Sequence, residues 1–520
     1  MKSFTLRKIR IVVSILFLIL FSAVFLDIHH SLPSNVINYF VYFQFVPSIF
    51  KFFNTYTLLA SGFIIVLLFV LLFGRVYCSS VCPIGTIQDI SSNISKRISK
   101  GKFYNFSDEF KWLRYTVLLF TVLIIFAGNL FLLNLLDPYS NAGRIFAQLI
   151  NPLLIAGNNF ISSVLVSFDI YTVYPVDPKS YSYLLALFPA VFLVVILYLS
   201  FNRGRLYCNT ICPVGTFLGL FAKLSLFKLK IEKSECEGCG VCETVCKAEC
   251  INFNTKAIDE SRCVSCFNCI DVCPSEVISY TNSWKYNNPS SEEKDSSKRE
   301  FFSKTFLYVL GLTGISLSQI KVIPEKESTV PVHRKLNVSP PGSTSLDHYN
   351  STCTACHLCI TACPTKVLQP SFLEFGVFGI LQPFMDFKTS FCNYDCVVCL
   401  EVCPTGAIKT LTTEKKKTVQ IGKAIFVKEN CIVETEKKAC GACSEHCPTK
   451  AVDMVYFKDE LKIPEVTEKY CVGCGACEFA CPTFPYKAIY VEGNSIHKKA
   501  EKRKPEQIEF QFDSEEDFPF

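Results

Sequence analysis

Twenty-nine cysteines in 520 residues constrain this chain more than any other feature, because they fall in short runs of nearly one spacing. Cys236, Cys239, Cys242 and Cys246 form one run, and Cys263, Cys266, Cys269 and Cys273 a second. Cys353, Cys356, Cys359 and Cys363 form a third, and Cys471, Cys474, Cys477 and Cys481 repeat it. Two variants stretch one gap: Cys392, Cys396, Cys399, Cys403, and Cys431, Cys440, Cys443, Cys447. All but the first end in Cys-Pro. The run C-x2-C-x2-C-x3-C-P binds [4Fe–4S] clusters in bacterial ferredoxins, its fourth cysteine usually serving the other cluster of a pair. Disulfide frameworks belong to small secreted domains without a core, unlike this long, apolar chain. Zinc sites show two C-x2-C pairs across a loop rather than a triplet closed by C-x3-C-P. The spacing therefore points to about six [4Fe–4S] clusters.

Half of the residues are hydrophobic, and they concentrate before position 200, whereas the cysteine runs begin after 230. That shift divides the chain into a membrane part and a cluster part. A helix crosses a bilayer with about 20 apolar residues. Four segments are expected to cross: residues 11–25, 56–73, 113–135 and 183–199. Residues 36–53 and 142–168 are apolar but broken by Pro, Asn and Gly, and are expected to lie at the interface or fold between spans. Asp27-Ile28-His29-His30 offers no small-residue cleavage site after the first span, so that span reads as a retained anchor. Lys and Arg crowd the N-terminus, the loop after the second span (Arg75, Lys96, Arg97) and the stretch after the fourth (Arg203, Arg205, Lys223, Lys228, Lys230), and are sparse elsewhere. The positive-inside rule then puts both ends of the bundle in the cytoplasm. A net charge of +6 is small for this length and gives no reason to expect nucleic acid as a partner.

The second and fourth spans end on the same phrase. Gly74-Arg75-Val76-Tyr77-Cys78 with Cys82-Pro83-Ile84-Gly85-Thr86 matches Gly204-Arg205-Leu206-Tyr207-Cys208 with Cys212-Pro213-Val214-Gly215-Thr216. Small buried cysteines suit helix ends, but packing does not call for a repeated phrase with Arg, Tyr and Pro. Cys78, Cys82, Cys208 and Cys212 are read as one further cluster site or a set of redox thiols near a quinone.

This phrase, twice on a four-span bundle and followed by a two-cluster ferredoxin, resembles the NapH-type membrane polyferredoxins over residues 1–280. NosR of nitrous-oxide respiration and the CcoG-type oxidase-assembly proteins share the core. This chain departs from both, opening on a span where NosR-like proteins carry a flavin domain and continuing into clusters where CcoG-like proteins carry a β-sandwich. The resemblance implies quinol-linked electron transfer. Beyond a polar linker, Lys298-Arg299-Glu300-Phe301-Phe302 precedes an apolar stretch at 305–320, a pattern similar to a twin-arginine export signal. His333 to Gly342 and the clusters that follow resemble the NapG-type periplasmic ferredoxins, to about residue 495. In relatives with four clusters the outer two runs pair, as do the inner two. Carried over, Cys481 would serve the Cys353 run and Cys363 the Cys471 run, with Cys447 and Cys403 exchanged between the Cys392 and Cys431 runs.

In the first ferredoxin, exchange of fourth ligands gives Cys236, Cys239, Cys242 with Cys273, and Cys263, Cys266, Cys269 with Cys246. Lys247 replaces the usual Pro, and Cys250 is either a spare thiol or an alternative ligand. The expected architecture is an α-helical membrane bundle of four spans plus a fifth, followed by α+β bacterial-type [4Fe–4S] ferredoxin domains. Its parts are 1–230, the bundle; 231–281, a two-cluster ferredoxin; 282–304, a linker with the basic motif; 305–322, a hydrophobic span or signal; 323–495, a four-cluster ferredoxin; and 496–520, a disordered tail. No nucleophile–base pair, phosphate loop or acid–base dyad stands out, so the chemistry is that of the clusters. The expected role is electron transfer in a bacterial inner membrane. Electrons would pass from the quinone pool to a nitrate- or nitrous-oxide-type reductase or a cytochrome, with the first ferredoxin cytoplasmic and the last module outside. The second reading is an assembly factor that reduces a metal or thiol on a partner.

Overall fold

The computed structural model describes residues 3–29, 31–56, 60–98, 104–108, 110–178, 183–282, 330–458 and 460–503. The expected fifth span and most of the basic linker lie outside them.

Helix α1 (Ser3–Leu26) is the axis of the molecule. At about 1.5 Å per residue its 24 residues reach about 36 Å, more than the roughly 30 Å of hydrocarbon in a bilayer. Its first turns touch the first ferredoxin module, where Arg7 Nη1 pairs with Asp271 at 2.9 Å. Near its far end Phe25 packs beside Gly143 and the carbonyl of Cys356, in the unit that carries the Cys353 run. The two cluster modules thus sit against opposite ends of one membrane-length helix.

Helices α2 (Ser34–Tyr42) and α3 (Phe45–Thr55) meet at 106° and fold back rather than run straight. Each repeat of the shared phrase forms a helix, a break, a single turn and a second helix. The first copy is α4 (Gly62–Phe73), α5 (Val76–Ser80) and α6 (Pro83–Ile98). Between the copies stand α7 (Lys111–Phe126), α8 (Phe131–Leu136), α9 (Pro138–Ile145) and, after one π-turn, α10 (Asn151–Val166). The second copy is α11 (Tyr183–Arg203), α12 (Leu206–Thr210) and α13 (Pro213–Ala222). The breaks fall at Gly74 and Gly204, both at positive φ, a backbone state that costs glycine little. Pro83 and Pro213 restart the chain at the first helical position, where a missing N–H does no harm.

Among the described residues, three helical segments can cross a membrane by length and composition, 6–26, 138–166 and 184–203, and the bent pair α2–α3 makes a fourth if it is one span. The first and last fall on expected spans. The middle one takes in most of 142–168, expected to lie at the interface or fold between spans: α9, the π-turn and α10 run on as one apolar helical segment through Pro152. The other two expected spans are shorter as helices, 12 residues in α4 and 16 in α7.

The first ferredoxin module is closed by its ends. Strand β1 (Phe227–Ile231) pairs antiparallel with β4 (Ile278–Asn282), enclosing the hairpin of β2 (Ile251–Asn252) and β3 (Ala257–Ile258). Further along, β7 (Val419–Phe426) pairs with β10 (Ile489–Lys499) around the hairpin of β8 (Val452–Tyr456) and β9 (Lys462–Val466), the same plan. Between these modules, β5 (Leu368–Pro370) and β6 (Pro383–Met385) form the hairpin of a further unit. Strand β10 corrects the expected start of the disordered tail: Lys498 and Lys499 still pair with Gln420 and Val419. Fully buried Val491 and the bond from His497 N to Thr344 O hold that strand in place despite its charges. Residues 504–520 lie outside the described part.

Candidate metal centres

All 29 cysteines are free thiols, and three cavities are each lined by a cysteine quartet drawn from two neighbouring runs. Cys236, Cys239, Cys242 and Cys273 line one cavity. Cys263, Cys266, Cys269 and Cys246 line another, together with Cys250. Both are the exchanged sets expected for the first module. Cys250 Sγ lies 3.5 Å from Cys246 Sγ and holds that thiol below its ordinary pKa by hydrogen bonding. This suits Cys246 as the metal-facing sulfur with Cys250 behind it.

The last two modules overturn the outer-with-outer pairing. Cys481 lines a cavity with Cys431, Cys440 and Cys443. Cys447 lies in the electrostatic reach of Cys471, Cys474 and Cys477. Cys403 stands with Cys353, Cys356 and Cys359, and Cys363 with Cys392 and Cys399. Neighbouring runs therefore exchange fourth cysteines, Cys353 with Cys392 and Cys431 with Cys471. The strands follow the same grouping: the β7–β10 pair closes around the last two runs alone.

These groups fit an iron–sulfur cluster by the chemistry of their donors. The Cys236, Cys263 and Cys431 groups each offer four soft sulfurs lining one space. Backbone N–H groups point at the sulfurs: Ile408 N lies 3.4 Å from Cys403 Sγ, Ala451 N 3.2 Å from Cys447 Sγ and Ala424 N 3.4 Å from Cys471 Sγ. Burial pushes the Cys443 and Cys474 thiols up to about 12, so they ionise at neutral pH only with a cation to compensate. Metal binding and folding of such small modules are one equilibrium.

The fourfold set at the repeats lies deeper. Cys78, Cys82, Cys208 and Cys212 are all buried. Cys82 feels Cys208 and Cys78, and Cys212 feels Cys208, Cys82 and Cys78. The two copies grip each other reciprocally: Arg75 Nη2 donates to Cys208 O at 3.1 Å, and Arg205 Nη1 to Cys78 O at 2.6 Å. Gly85 and Gly215 make this possible. A Cβ on Gly85 would stand 2.1 Å from Cys78 O and 3.1 Å from Arg205 Nη1; one on Gly215 would stand 2.3 Å from Cys208 O and 2.9 Å from Arg75 Nη2.

Sequence reasoning missed Asp89, three residues past the phrase. Buried Asp89 accepts from Arg10 Nη1 at 2.8 Å and Arg205 Nε at 3.0 Å, with Lys247 Nζ at 3.4 Å. Burial opposes its charge, yet Arg205, Lys247 and Arg10 outweigh that and hold its carboxyl well below the usual range. One carboxylate thus ties α1, the second repeat and the first ferredoxin together. The equivalent position in the second repeat is Gly219, where a Cβ would meet Arg114 Nη2 at 2.3 Å. The only hint in sequence was this asymmetry between the copies. His357 fastens the part that follows to the bundle: Gln148 Nε2 lies 3.0 Å from its Nδ1, and its Nε2 lies 2.8 Å from Leu381 O.

Cysteine quartets on small α+β modules, joined to a bundle of apolar helices, define a ferredoxin-type iron–sulfur electron-transfer protein. Family models agree. A 4Fe-4S binding domain matches residues 55–101 and again 185–232, covering both copies of the phrase. A 4Fe-4S dicluster domain matches 438–484, which takes in all but Cys431 of the two runs that the structure pairs. Three curated relatives are similar over parts of the chain. The methylamine utilization ferredoxin-type protein MauM of Methylophilus methylotrophus is 29% identical over 35% of this chain and 81% of its own. The ferredoxin-type protein NapG of Escherichia coli is 28% identical over 22% of this chain and 48% of its own. The ferredoxin-type protein NapH of Haemophilus influenzae is 24% identical over 36% of this chain and 53% of its own. No solved structure matches. The chain is thus similar, over parts of its length, to ferredoxin-type proteins of the MauM, NapG and NapH kinds.

Proposed function

We propose that this chain is a membrane-bound electron carrier that takes electrons from quinol and delivers them to a redox partner outside the cytoplasm. The six cysteine groups described above are the ligand sets, each for one [4Fe–4S] cluster. Bound clusters would supply reversible one-electron transfer at potentials tuned by charge, hydrogen bonds and exposure. The chain's own residues set those terms: N–H groups aim at the sulfurs, the Lys247 charge lies near Cys266, and burial keeps water from Cys353, Cys356 and Cys359.

One observation carries the reading: cluster modules stand against both ends of α1. The basic residues around the first module support a cytoplasmic side for it and the opposite side for the last two. The reductase or cytochrome that receives the electrons is the partner this arrangement suits. The test is anaerobic membranes carrying the chain, titrated with a quinol analogue. Bleaching of the cluster absorption within the assay supports the reading. Clusters that stay oxidised with quinol yet are needed to load a metal into a partner would replace it with an assembly role.

A further inference from the structure

The bundle interior holds more buried positive charge than its carboxylates balance. Arg10, Arg75, Arg205 and Lys247 are all buried around the repeat thiols, and Asp89 is shared by three of them. The hydrogen bonds of Arg75 go to Asn209 Oδ1, to the carbonyls of Ser261, Arg262 and Cys208, and to Cys78 Sγ, all uncharged in the thiol form. Buried charges are retained where they are paired. A set of four thiolates around an iron–sulfur core is a net anion and would supply what is missing.

The thiols are also dressed as ligands. Gly215 N lies 3.3 Å from Cys212 Sγ, and Gly85 N–H does the same for Cys82, the pattern seen at Cys403, Cys447 and Cys471. Gln88 is fully buried with its Nε2 unpartnered, while its Oε1 lies 2.9 Å from Cys208 Sγ. An amide's two ends are interchangeable in shape. Turned over, Gln88 donates to a Cys208 thiolate, which satisfies the orphaned group.

The set stands between the modules. On one side Arg205 N bonds Lys247 O at 2.8 Å and Asn209 Nδ2 bonds Ala248 O at 3.1 Å, both in the loop that carries Cys246. On the other, buried Tyr139 lies within reach of Tyr77, Cys356 and Cys403, and Tyr207 within reach of Cys212 and Cys208.

We propose that Cys78, Cys82, Cys208 and Cys212 jointly bind one further iron–sulfur cluster inside the bundle, which connects the first ferredoxin electrically to the Cys353 group across the membrane. Each turnover moves one electron in from the first module and one out to the last, with no bond made or broken and no proton taken up. The donor is the quinol of the reading above, which gives up two electrons in two successive steps and releases two protons; a viologen takes its place in the assay. This inference rests on the electron-transfer reading above.

The test uses the full chain, purified anaerobically, and its Cys78→Ser/Cys208→Ser variant. Wild type should hold about four irons per chain beyond what six runs can bind. The variant should lose about four irons and keep the paramagnetic signals of the ferredoxin modules, which also shows that it folds. In liposomes with a sulfonated viologen reductant outside and ferricyanide inside, the wild type should reduce ferricyanide at least about tenfold faster than the variant. A variant with unchanged iron, or wild-type iron no greater than six runs hold, overturns the site. Iron lost with transmembrane flux unaffected overturns the connection. A wild type without iron or sulfide sinks the parent reading instead, so the two failures are distinct.

Discussion

Replacing Asp89 by Asn should cost this protein more stability than any substitution on its surface. The side chain keeps its shape and an acceptor oxygen, so the change removes charge alone. Its carboxylate is 9% exposed and serves Arg10 at 2.8 Å, Arg205 at 2.9 Å and Lys247 at 3.4 Å. Removing one partner of a buried ion pair costs about 3–5 kcal/mol, because the remaining charge has neither water nor a counter-ion. Three stranded cations put Asp89→Asn at the upper end, near 5 kcal/mol. Lys247→Met beside it should recover part of that loss, since one stranded cation is gone and coupled sites are non-additive. By contrast Asp395→Asn, whose carboxylate is 69% exposed beside Lys417, should change stability by less than about 1 kcal/mol. The assay is denaturation of cluster-loaded protein in detergent, followed by near-ultraviolet circular dichroism and cluster absorption together. The signal of the first ferredoxin should go first in Asp89→Asn, because the carboxylate binds that module to the bundle. A loss below about 1 kcal/mol, or no rescue by Lys247→Met, would refute the argument.

Gly85→Ala should destabilise the bundle by about 1–3 kcal/mol through overpacking, since its Cβ would stand 2.1 Å from a backbone carbonyl, whereas Gly157→Ala meets nothing within 4 Å and should be neutral or better; thermal melts in detergent compare the two. Cys431→Ser and Cys481→Ser should each remove the same cluster, so the double variant loses no more iron than either alone, while Cys353→Ser with Cys481→Ser should lose two clusters' worth; iron assays that show the reverse would restore the outer-with-outer pairing. His497, packed against Ser339 and Ser343, is driven by burial from 6.5 to about 4 in the folded state. Its neutral form is what folding favours, so its contribution is complete above pH 6.5 and drains away as pH falls towards 4, by about 2–3 kcal/mol after allowing for partial exposure. His497→Gln should flatten that stretch of the stability–pH curve.

The ligand runs were legible because thiolate chemistry writes its spacing into the chain: Cys236, Cys239 and Cys242 curl round one space, and Cys273 reaches it from the next run. The repeated phrase was legible for the same reason, and its arginines prove to bind the opposite copy's carbonyls. Pairing among the last four runs was not legible. It depends on which strands close which module, and the β7–β10 ladder links segments about 70 residues apart. Span boundaries were blurred by proline, which usually ends a helix, whereas here the helical run continues through Pro152 just past a π-turn. Asp89 stayed hidden because one carboxylate among serines on α6 looks like a solvated face until Arg10 and Lys247 arrive from distant segments.

The most direct measurement is iron and acid-labile sulfide in the full chain purified without oxygen, with Mössbauer spectra to identify the clusters. The account predicts equal amounts of both, about four of each per cysteine quartet, all as [4Fe–4S]. Stoichiometric zinc, or sulfide near zero, would contradict it.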